Sequence, residues 1–277
     1  MSNYEVAVMQ GRCIPDENGL IQSFPRVGWK SEFPILNELG IKNLEWTIDF
    51  TGIDLNPLLD QKFDKQISEL CHEYGVAINT VTADNLMQAP LHKKANGNKT
   101  PIQNILDFLI RLEEKNIKIV VWPLVDQGNL CGKDEFNNFC SLFMPIKQFL
   151  STASIMIAFE TDLSPKNNQT LIEKLASGNV GINLDIGNSA SYGNSISEEF
   201  RLNGGEIIHC HIKDRIRGGG TVPLGEGGVD WPQIKNELEK YEGYLITLQT
   251  ARTGIGQEVK DLQNYLSFLH QNSIISI

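Results

Sequence analysis

Short apolar segments alternate with longer amphipathic segments along the whole chain. The apolar segments are rich in Val and Ile and carry few polar residues, which is typical of parallel strands covered by helices. Eight such strands are predicted, over residues 4–9, 42–46, 76–81, 117–122, 154–160, 180–185, 206–211 and 244–249. Several of the intervening segments end at Gly or Asn, as helices commonly do. The pattern therefore predicts eight successive strand–helix units.

Eight such units predict one (β/α)8 TIM barrel, an α/β fold, that covers residues 1–277 as a single domain. The length of 277 residues is close to the roughly 250 typical of this barrel, and no Ser- or Pro-rich linker divides the chain. A doubly wound open sheet usually carries a glycine-rich phosphate turn after its first strand. The turn here, MQGRCIPDENG, lacks the GxGxxG pattern. The closed barrel is therefore favoured.

Composition narrows the range of partners. A net charge of -10 disfavours sequence-independent binding of nucleic acid, which needs a basic face. The five cysteines include no CxxC pair, as expected in a reducing compartment. No apolar run has the length of a membrane span, and the N-terminal stretch lacks the basic region and cleavage site of a signal peptide. We expect a cytoplasmic protein with a small-molecule partner and no nucleic-acid or membrane partner.

Three of the predicted strands end in residues that commonly bind metal ions, namely Glu160, Asp185 and His211, and a fourth ends in Gln249. In TIM barrels the functional side chains project from the carboxyl ends of the strands. Two carboxylates and one imidazole suit a divalent ion such as Mn, Mg, Co or Zn, and Gln249 could add a neutral carbonyl oxygen. Each residue alone could equally be a helix cap or an ion-pair partner. Their succession on strands five to eight predicts a metal site.

Polar residues near these strand ends are candidates for substrate binding. Glu45 lies at the end of strand two, and Asn188 lies in the turn after Asp185, where its amide could reach a substrate hydroxyl. His209 precedes His211 by two residues and therefore shares its strand face. We expect His209 to lie one layer deeper, chiefly as a hydrogen-bonded partner of the site.

Five basic residues could contact an anionic group. Lys213, Arg215 and Arg217 precede three consecutive glycines in the loop after strand seven, where many TIM barrels bind phosphate. The same charges are also compatible with a solvated loop. Arg12 and Arg252 follow strands one and eight, which are neighbours in a closed barrel, so both could face one anion. The sequence therefore predicts contacts to an anionic substrate group such as phosphate.

Four motifs resemble the xylose isomerase-like superfamily of TIM barrels, which includes sugar and sugar-phosphate isomerases and epimerases. They are FETDL at Glu160, LDIGN at Asp185, HCHIKDR around His211, and PLGEGGVDW at 223–231. The resemblance covers essentially the whole chain and implies that Glu160, Asp185 and His211 are metal ligands. The chain differs from the family at Gln249, where a second Glu is expected, and at Asn188, where a His often stands. Barrels of this type often pair, so a homodimer is possible, although no sequence feature predicts an oligomer.

The resemblance implies a reaction in which Glu160 removes a proton beside a carbonyl group to give an enediolate. Inverting a carbon atom requires a second acid–base group, and the Gln249 amide cannot carry a proton at neutral pH. Glu45, Asp84 or His209 would have to take that role in an epimerase. Isomerisation needs one base only. The resemblance therefore predicts a metal-dependent isomerase or epimerase of a small sugar or sugar phosphate, with Glu160 and Gln249 at the reaction centre.

Three other functions remain open or are disfavoured. A dehydratase (lyase) of the same fold and a catalytically inactive sugar-phosphate-binding barrel are the alternatives. An endonuclease acting at abasic sites is disfavoured, because such enzymes need more histidines at the strand ends and a basic DNA-binding face.

Overall fold

Eight parallel strands form a closed barrel, as the sequence predicts. The structure is a computed structural model that describes residues 4–17, 19, 21–93, 101–175 and 178–276. Its strands are β1 Glu5–Met9, β2 Asn43–Thr47, β3 Ala77–Thr82, β4 Ile119–Leu124, β5 Met156–Thr161, β6 Val180–Asp185, β7 Ile207–Ile212, β8 Asp214–Arg215, β9 Thr221–Val222 and β10 Leu245–Leu248. The barrel order is β1-β10-β7-β6-β5-β4-β3-β2. The remaining strands, β8 and β9, form an antiparallel hairpin after β7 that the sequence pattern did not predict.

The helices surround this barrel. They are α1 Glu32–Glu38, α2 Asp64–Tyr74, α3 Asp84–Gln88, α4 Ile102–Glu114, α5 Gly132–Leu150, α6 Pro165–Leu175, α7 Ile186–Tyr192, α8 Ile196–Asn203, α9 Trp231–Leu238 and α10 Glu258–Gln271. Short 3-10 turns occur at Trp29–Ser31, Ile53–Leu55, Gln61–Phe63, Asp126–Gly128 and Gly204–Glu206. Within the described residues, no helix is both long enough and apolar enough to cross a bilayer.

Alternate residues of each strand face two different environments. On the outer face of β4, Trp122 packs in an aromatic cluster with Phe139, Phe143 and Phe159, with ring centroids 5.9 Å from each. The neighbouring Val121 belongs instead to a separate small apolar cluster. Successive strand side chains point to opposite faces, so this small cluster lies inside the barrel. It fills only part of the interior, and polar side chains occupy the rest.

The fully buried Asp214 organises the loop after β7. Its two carboxylate oxygens accept hydrogen bonds from the backbone N–H groups of Arg215, Gly225, Gly227 and Val229, and from the indole of Trp231. A Cβ atom at Gly227 would lie 2.1 Å from Asp214 Oδ1, so only glycine fits there. Gly225 has φ +89°, a conformation that also favours glycine. The PLGEGGVDW motif therefore shapes a loop around one buried carboxylate.

We expect Asp214→Ala to destabilise the protein by about 3 kcal/mol or more, because it leaves four backbone N–H groups and the buried Trp231 indole without their acceptor. The matched control is Asp230→Ala, which removes the N-cap acceptor of α9 for Gln233 N and should reduce stability by about 1 kcal/mol. Urea unfolding measures both changes. Equal losses in the two variants would contradict the anchoring role of Asp214.

Glu32 is a second buried carboxylate that holds a loop. It begins α1, and its Oε1 accepts a hydrogen bond of 2.6 Å from Gly11 N, in the loop after β1. Burial raises the pKa of Glu32 to about 8, although the hydrogen bond from Gly11 opposes that rise. The folded protein therefore retains a proton on Glu32 at a pH where the unfolded chain has lost it.

This raised pKa predicts that stability falls as the pH rises. Between about pH 4.5, the ordinary pKa of Glu, and about pH 8 the folded state binds the extra proton. The contribution of Glu32 to the free energy of unfolding should then decrease by up to roughly 1.4 kcal/mol per pH unit. Glu32→Gln does not titrate, so its stability relative to the native protein should increase across this range. Urea unfolding from pH 5 to pH 9 tests this, and a constant difference would contradict it.

Candidate metal and substrate site

Glu45 lies at the centre of the polar interior of the barrel and is fully buried. Its Oε1 accepts hydrogen bonds from Thr82 Oγ1 at 2.5 Å and His211 Nε2 at 2.7 Å. Its Oε2 accepts from His209 Nε2 at 2.6 Å and Thr247 Oγ1 at 2.7 Å. One carboxylate thus links side chains from β2, β3, β7 and β10. Because a carboxylate only accepts, the Nε2 atoms of both histidines carry protons.

These contacts determine the charge states of Glu45 and His211. Burial alone would raise the pKa of Glu45, but the adjacent His211 and His209 hold it well below its ordinary value. Burial would lower the pKa of His211, yet the carboxylates of Glu45 and Glu160 raise it to about 10. Before any ion binds, Glu45 is therefore an anion and His211 a cation at neutral pH.

The structure brings together Glu160, Asp185 and His211, the three candidate metal ligands at the ends of β5, β6 and β7. One potential ligand atom from each lies within 4.8 Å of the others. His211 Nδ1 is 3.1 Å from Glu160 Oε2. Asp185 Oδ1 accepts a hydrogen bond of 2.7 Å from Asn188 N and caps α7. The two roles considered for a strand-end acid, helix cap and candidate ligand, coincide in Asp185.

Two amide side chains hold the Glu160 carboxylate. Asn188 Nδ2 donates to Oε1 at 2.7 Å, and Asn183 Nδ2 donates to Oε2 at 2.9 Å. Burial would raise the pKa of Glu160, but the hydrogen bond from His211 and the charge of Lys213 lower it to about 2. Burial and the negative charge of Glu160 raise the pKa of Asp185, while Lys213 opposes that rise.

Lys213 and Gln249 lie beside Asp185. The buried Lys213 ammonium is 2.6 Å from Asp185 Oδ2 and donates to Gln249 Oε1 at 2.9 Å. Gln249 Nε2 donates to Gln22 Oε1 at 2.7 Å, and Gln22 Nε2 donates to Asp84 Oδ2 at 2.6 Å. A hydrogen-bonded chain therefore joins the ends of β7 and β10 to the start of α3. Burial raises the pKa of Asp84 to about 7, with like charge from Asp49 and Glu160 adding to the rise.

The predicted arginines lie at the same end of the barrel but contact backbone oxygens. Arg12 donates to Thr250 O at 2.9 Å and Ile21 O at 2.6 Å, and Arg252 donates to Ile14 O at 2.8 Å. Burial and the nearby charge of Arg252 lower the pKa of Arg12 to about 9. The two arginines are therefore close together, as expected from neighbouring strands. Their binding of an anion stays a prediction.

Arg215 and Arg217 lie in different surroundings. Arg215 donates to Asn188 Oδ1 at 2.7 Å and to Gly219 O at 2.7 and 3.1 Å, and its guanidinium lies 5.9 Å from the centroid of the Tyr192 ring. Asn188 also contacts Glu160, so it lies between Arg215 and Glu160. Arg217 is exposed. Among the cations of this loop, Lys213 and Arg215 therefore contact the residues around the candidate ligands.

Four residues of the site were not identified from the sequence. Asn183 and Thr247 precede Asp185 and Gln249 by two positions, so period-two spacing could have placed them on the interior face. Thr82 is a polar residue at the end of an apolar strand, a weaker signal. Gln22 lies in the loop after β1, and no local pattern connects it with Gln249 or Asp84.

The donor set fits one divalent ion. Glu45 holds Nε2 of His211, so Nδ1 faces Glu160, and a carboxylate that orients a metal-binding histidine is a frequent arrangement. The buried Asp185 Oδ2 lies 2.6 Å from the Lys213 ammonium, and Oδ1 accepts from Asn188 N. Two carboxylates and one imidazole suit Mn²⁺, Co²⁺ or Zn²⁺ in particular. Gln249 contributes at most a neutral oxygen, which Lys213 already contacts.

Comparison with solved structures shows the same fold at low sequence identity. A xylose isomerase domain protein from Planctomyces limnophilus is 16% identical with a TM-score of 0.70, covering 98% of this chain and 96% of that one. D-psicose 3-epimerase with D-tagatose, from Clostridium cellulolyticum H10, is 14% identical with a TM-score of 0.70 and covers 96% and 98%. The IOLI protein with a bound zinc atom is 13% identical with a TM-score of 0.71 and covers 99% and 100%.

Comparison at the level of sequence identifies the family. No curated protein matches the chain. Residues 33–270 match the model of the xylose isomerase-like TIM barrel family. This match covers most of the chain, including β2 to β7, β10 and every candidate ligand. The chain therefore belongs to the xylose isomerase-like TIM barrel family.

Proposed function

We propose that this protein is a metal-dependent isomerase or epimerase of a small sugar or sugar phosphate. The observation that carries the proposal is the convergence of Glu160, Asp185 and His211, whose potential ligand atoms lie within 4.8 Å of one another. Membership of the xylose isomerase-like family supports the choice of substrate class. Two proteins with the same fold are a D-psicose 3-epimerase and a 3-keto-D-glucoside 4-epimerase, which agrees with this choice.

Glu160, Asp185 and His211 would hold the ion, and Gln249 would contribute a neutral oxygen at the edge of the site. A bound divalent ion would supply Lewis-acid stabilisation of negative charge on a substrate oxygen. Glu45 orients His211, while Asn183 and Asn188 hold the Glu160 carboxylate. These contacts position the donor atoms before any ligand enters, which favours binding and catalysis.

Glu160 is the proposed base. It would take a proton from the carbon next to the substrate carbonyl, giving an enediolate, and return it to the former carbonyl carbon, while the proton of the neighbouring hydroxyl group passes to the former carbonyl oxygen. This sequence isomerises the sugar with one base on one face. Gln249 cannot serve as a second base, because an amide is neither protonated nor deprotonated at neutral pH. Its oxygen also accepts from Lys213. One-base isomerisation is therefore favoured over two-base epimerisation.

An epimerase mechanism would depend on Asp84. Of the three alternatives to Gln249, Glu45 and His209 are fully buried and hydrogen-bonded to each other. Asp84 instead contacts Gln22 in the loop after β1, and its pKa of about 7 suits a group that gives and takes protons. Lys213 and Arg215 are the cations we propose for an anionic substrate group, since they contact Asp185 and Asn188.

Dehydration is the second candidate function, and the position of Lys213 favours it. A lyase must protonate a departing hydroxyl group, and an ammonium donor lies where a two-base epimerase would need its second base. Product mass separates the two reactions. An isomer has the mass of the substrate, whereas a dehydration product is lighter by one water molecule.

We expect Glu160→Gln to reduce kcat/KM by about 10²- to 10⁴-fold and to weaken Mn²⁺ binding at least about tenfold, because the amide removes both the base and a charged ligand. The control is Glu173→Gln, on the exposed surface of α6. Steady-state kinetics and calorimetric titration with Mn²⁺ measure the two effects. Undiminished activity and metal affinity in Glu160→Gln would contradict the proposed function.

Solvent exchange tests the enediolate without requiring the final product to be known. The protein with Mn²⁺ in D₂O is incubated with a panel of pentose, hexose and tetrulose phosphates, and mass spectrometry follows deuterium incorporation. We expect incorporation at a carbon next to the carbonyl group of one substrate, and its loss in Glu160→Gln. Tight binding of a panel member with neither exchange nor turnover would indicate a catalytically inactive binding barrel.

A further inference from the structure

We propose that Lys213 is a tethered cation that limits how tightly Glu160, Asp185 and His211 bind a divalent ion. The inference rests on the proposed function only in its assignment of these three residues to a metal site. Lys213 occupies the side of the site that Gln249 leaves without a negative charge. The site is therefore expected to bind its ion more weakly than its two carboxylates and one histidine would otherwise allow.

The ammonium of Lys213 is held against the ligand set by direct contacts. Nζ is 2.6 Å from Asp185 Oδ2 and donates to Gln249 Oε1 at 2.9 Å. Only 11% of the Lys213 side chain is exposed, so solvent does little to screen its charge. Because Asp185 Oδ1 already accepts from Asn188 N, Oδ2, the oxygen against the ammonium, is the one that an ion would use.

Gly187 fixes the path of the lysine side chain. A Cβ atom at Gly187 would lie 2.5 Å from Lys213 Cγ and 2.9 Å from Lys213 O, so the backbone of α7 packs directly on the lysine stem. Two residues after Asp185, this glycine leaves the space that the stem fills. Gln249 is held in turn by Gln22. The ammonium is therefore positioned from both sides and does not simply sample the site as a flexible surface lysine would.

The charges at the site explain why this contact matters for a metal ion. Lys213 balances Asp185, which leaves Glu160 as the carboxylate of the set without a lysine partner. A divalent ion bound to Asp185 must either displace the ammonium or tolerate a positive charge a few ångströms away. Even at the dielectric constant of water, repulsion between a divalent ion and a unit charge about 4 Å apart changes an affinity on the order of 10- to 100-fold, and burial of the ammonium strengthens the repulsion. A purely structural Lys213 predicts no gain in metal affinity when the lysine is removed.

The test measures Mn²⁺ affinity by calorimetric titration of the chelator-treated protein. We expect Lys213→Met to bind Mn²⁺ at least about tenfold more tightly than the native protein. Lys213→Arg retains the charge and should stay within about threefold of the native value. Lys260→Met removes one exposed charge on α10 and controls for net charge. Damage to the fold would weaken binding, so a tighter site cannot result from misfolding. Melting temperatures without metal monitor stability separately.

A carboxylate at position 249 supplies the second arm of the experiment. In Gln249→Glu the new carboxylate meets the Lys213 ammonium, so part of its charge is already neutralised. We therefore expect Gln249→Glu alone to tighten Mn²⁺ binding less than the same substitution in the Lys213→Met background. The difference between these two gains in Mn²⁺ affinity measures the coupling of Lys213 to position 249. An equal gain in Mn²⁺ affinity from Gln249→Glu in both backgrounds would contradict the proposal.

The outcomes separate this inference from the proposed function. Measurable Mn²⁺ binding that Lys213→Met does not tighten overturns the role of Lys213 alone and leaves the metal-dependent isomerase intact. No binding by the native protein, Lys213→Met or the double variant overturns both. Sugar turnover that persists at full rate after chelation overturns the metal part of the proposed function.

Discussion

The arrangement of the whole site depends on one buried carboxylate, Glu45. It accepts from both histidines of β7 and from threonines on β3 and β10. An unpaired carboxylate would be too unfavourable in a barrel interior, and two histidines without acceptors would be nearly as unfavourable. Together they satisfy one another. The result is a rigid polar layer that turns His211 Nδ1 towards Glu160 and leaves the carboxyl ends of β5 to β7 as a preformed set of donors.

Around this layer, carboxylates serve three different purposes. Asp214 and Glu32 shape loops by accepting backbone N–H groups, and neither lies in the candidate ligand set. Glu45 orients a ligand. Glu160 and Asp185 present their oxygens to the site itself. Burial raises the energy of every one of these charges, so the partners that each carboxylate finds decide its role. Lys213 belongs to the same network of buried charges. Its ammonium neutralises Asp185 at the place where the family pattern would put another acidic residue.

The architecture was largely predictable because it depends on local patterns. Eight Val- and Ile-rich segments separated by amphipathic ones specify strands and helices, and the observed bounds differ from the predicted ones by a few residues. The convergence of the candidate ligands Glu160, Asp185 and His211 could be predicted because strand ends in a TIM barrel meet on one face. Spacing could have placed Asn183 on the interior face, but its contact with Glu160, 23 residues away in sequence, could not be predicted. Gln22 could not be identified at all, since its partner Gln249 lies 227 residues away.

The sequence by itself determined the barrel, the position of the candidate site and the presence of an amide at Gln249 instead of a fourth acidic residue. These features follow from periodicity, strand order and residue identity. Tertiary structure alone decided what fills the place beside Gln249, because closing the barrel brings β7 next to β10 and places the Lys213 ammonium between Asp185 and the amide. It also decided that Glu45 supports His211 rather than standing apart on β2. Contacts across a closed barrel depend on register and curvature, and no local pattern along the chain encodes these.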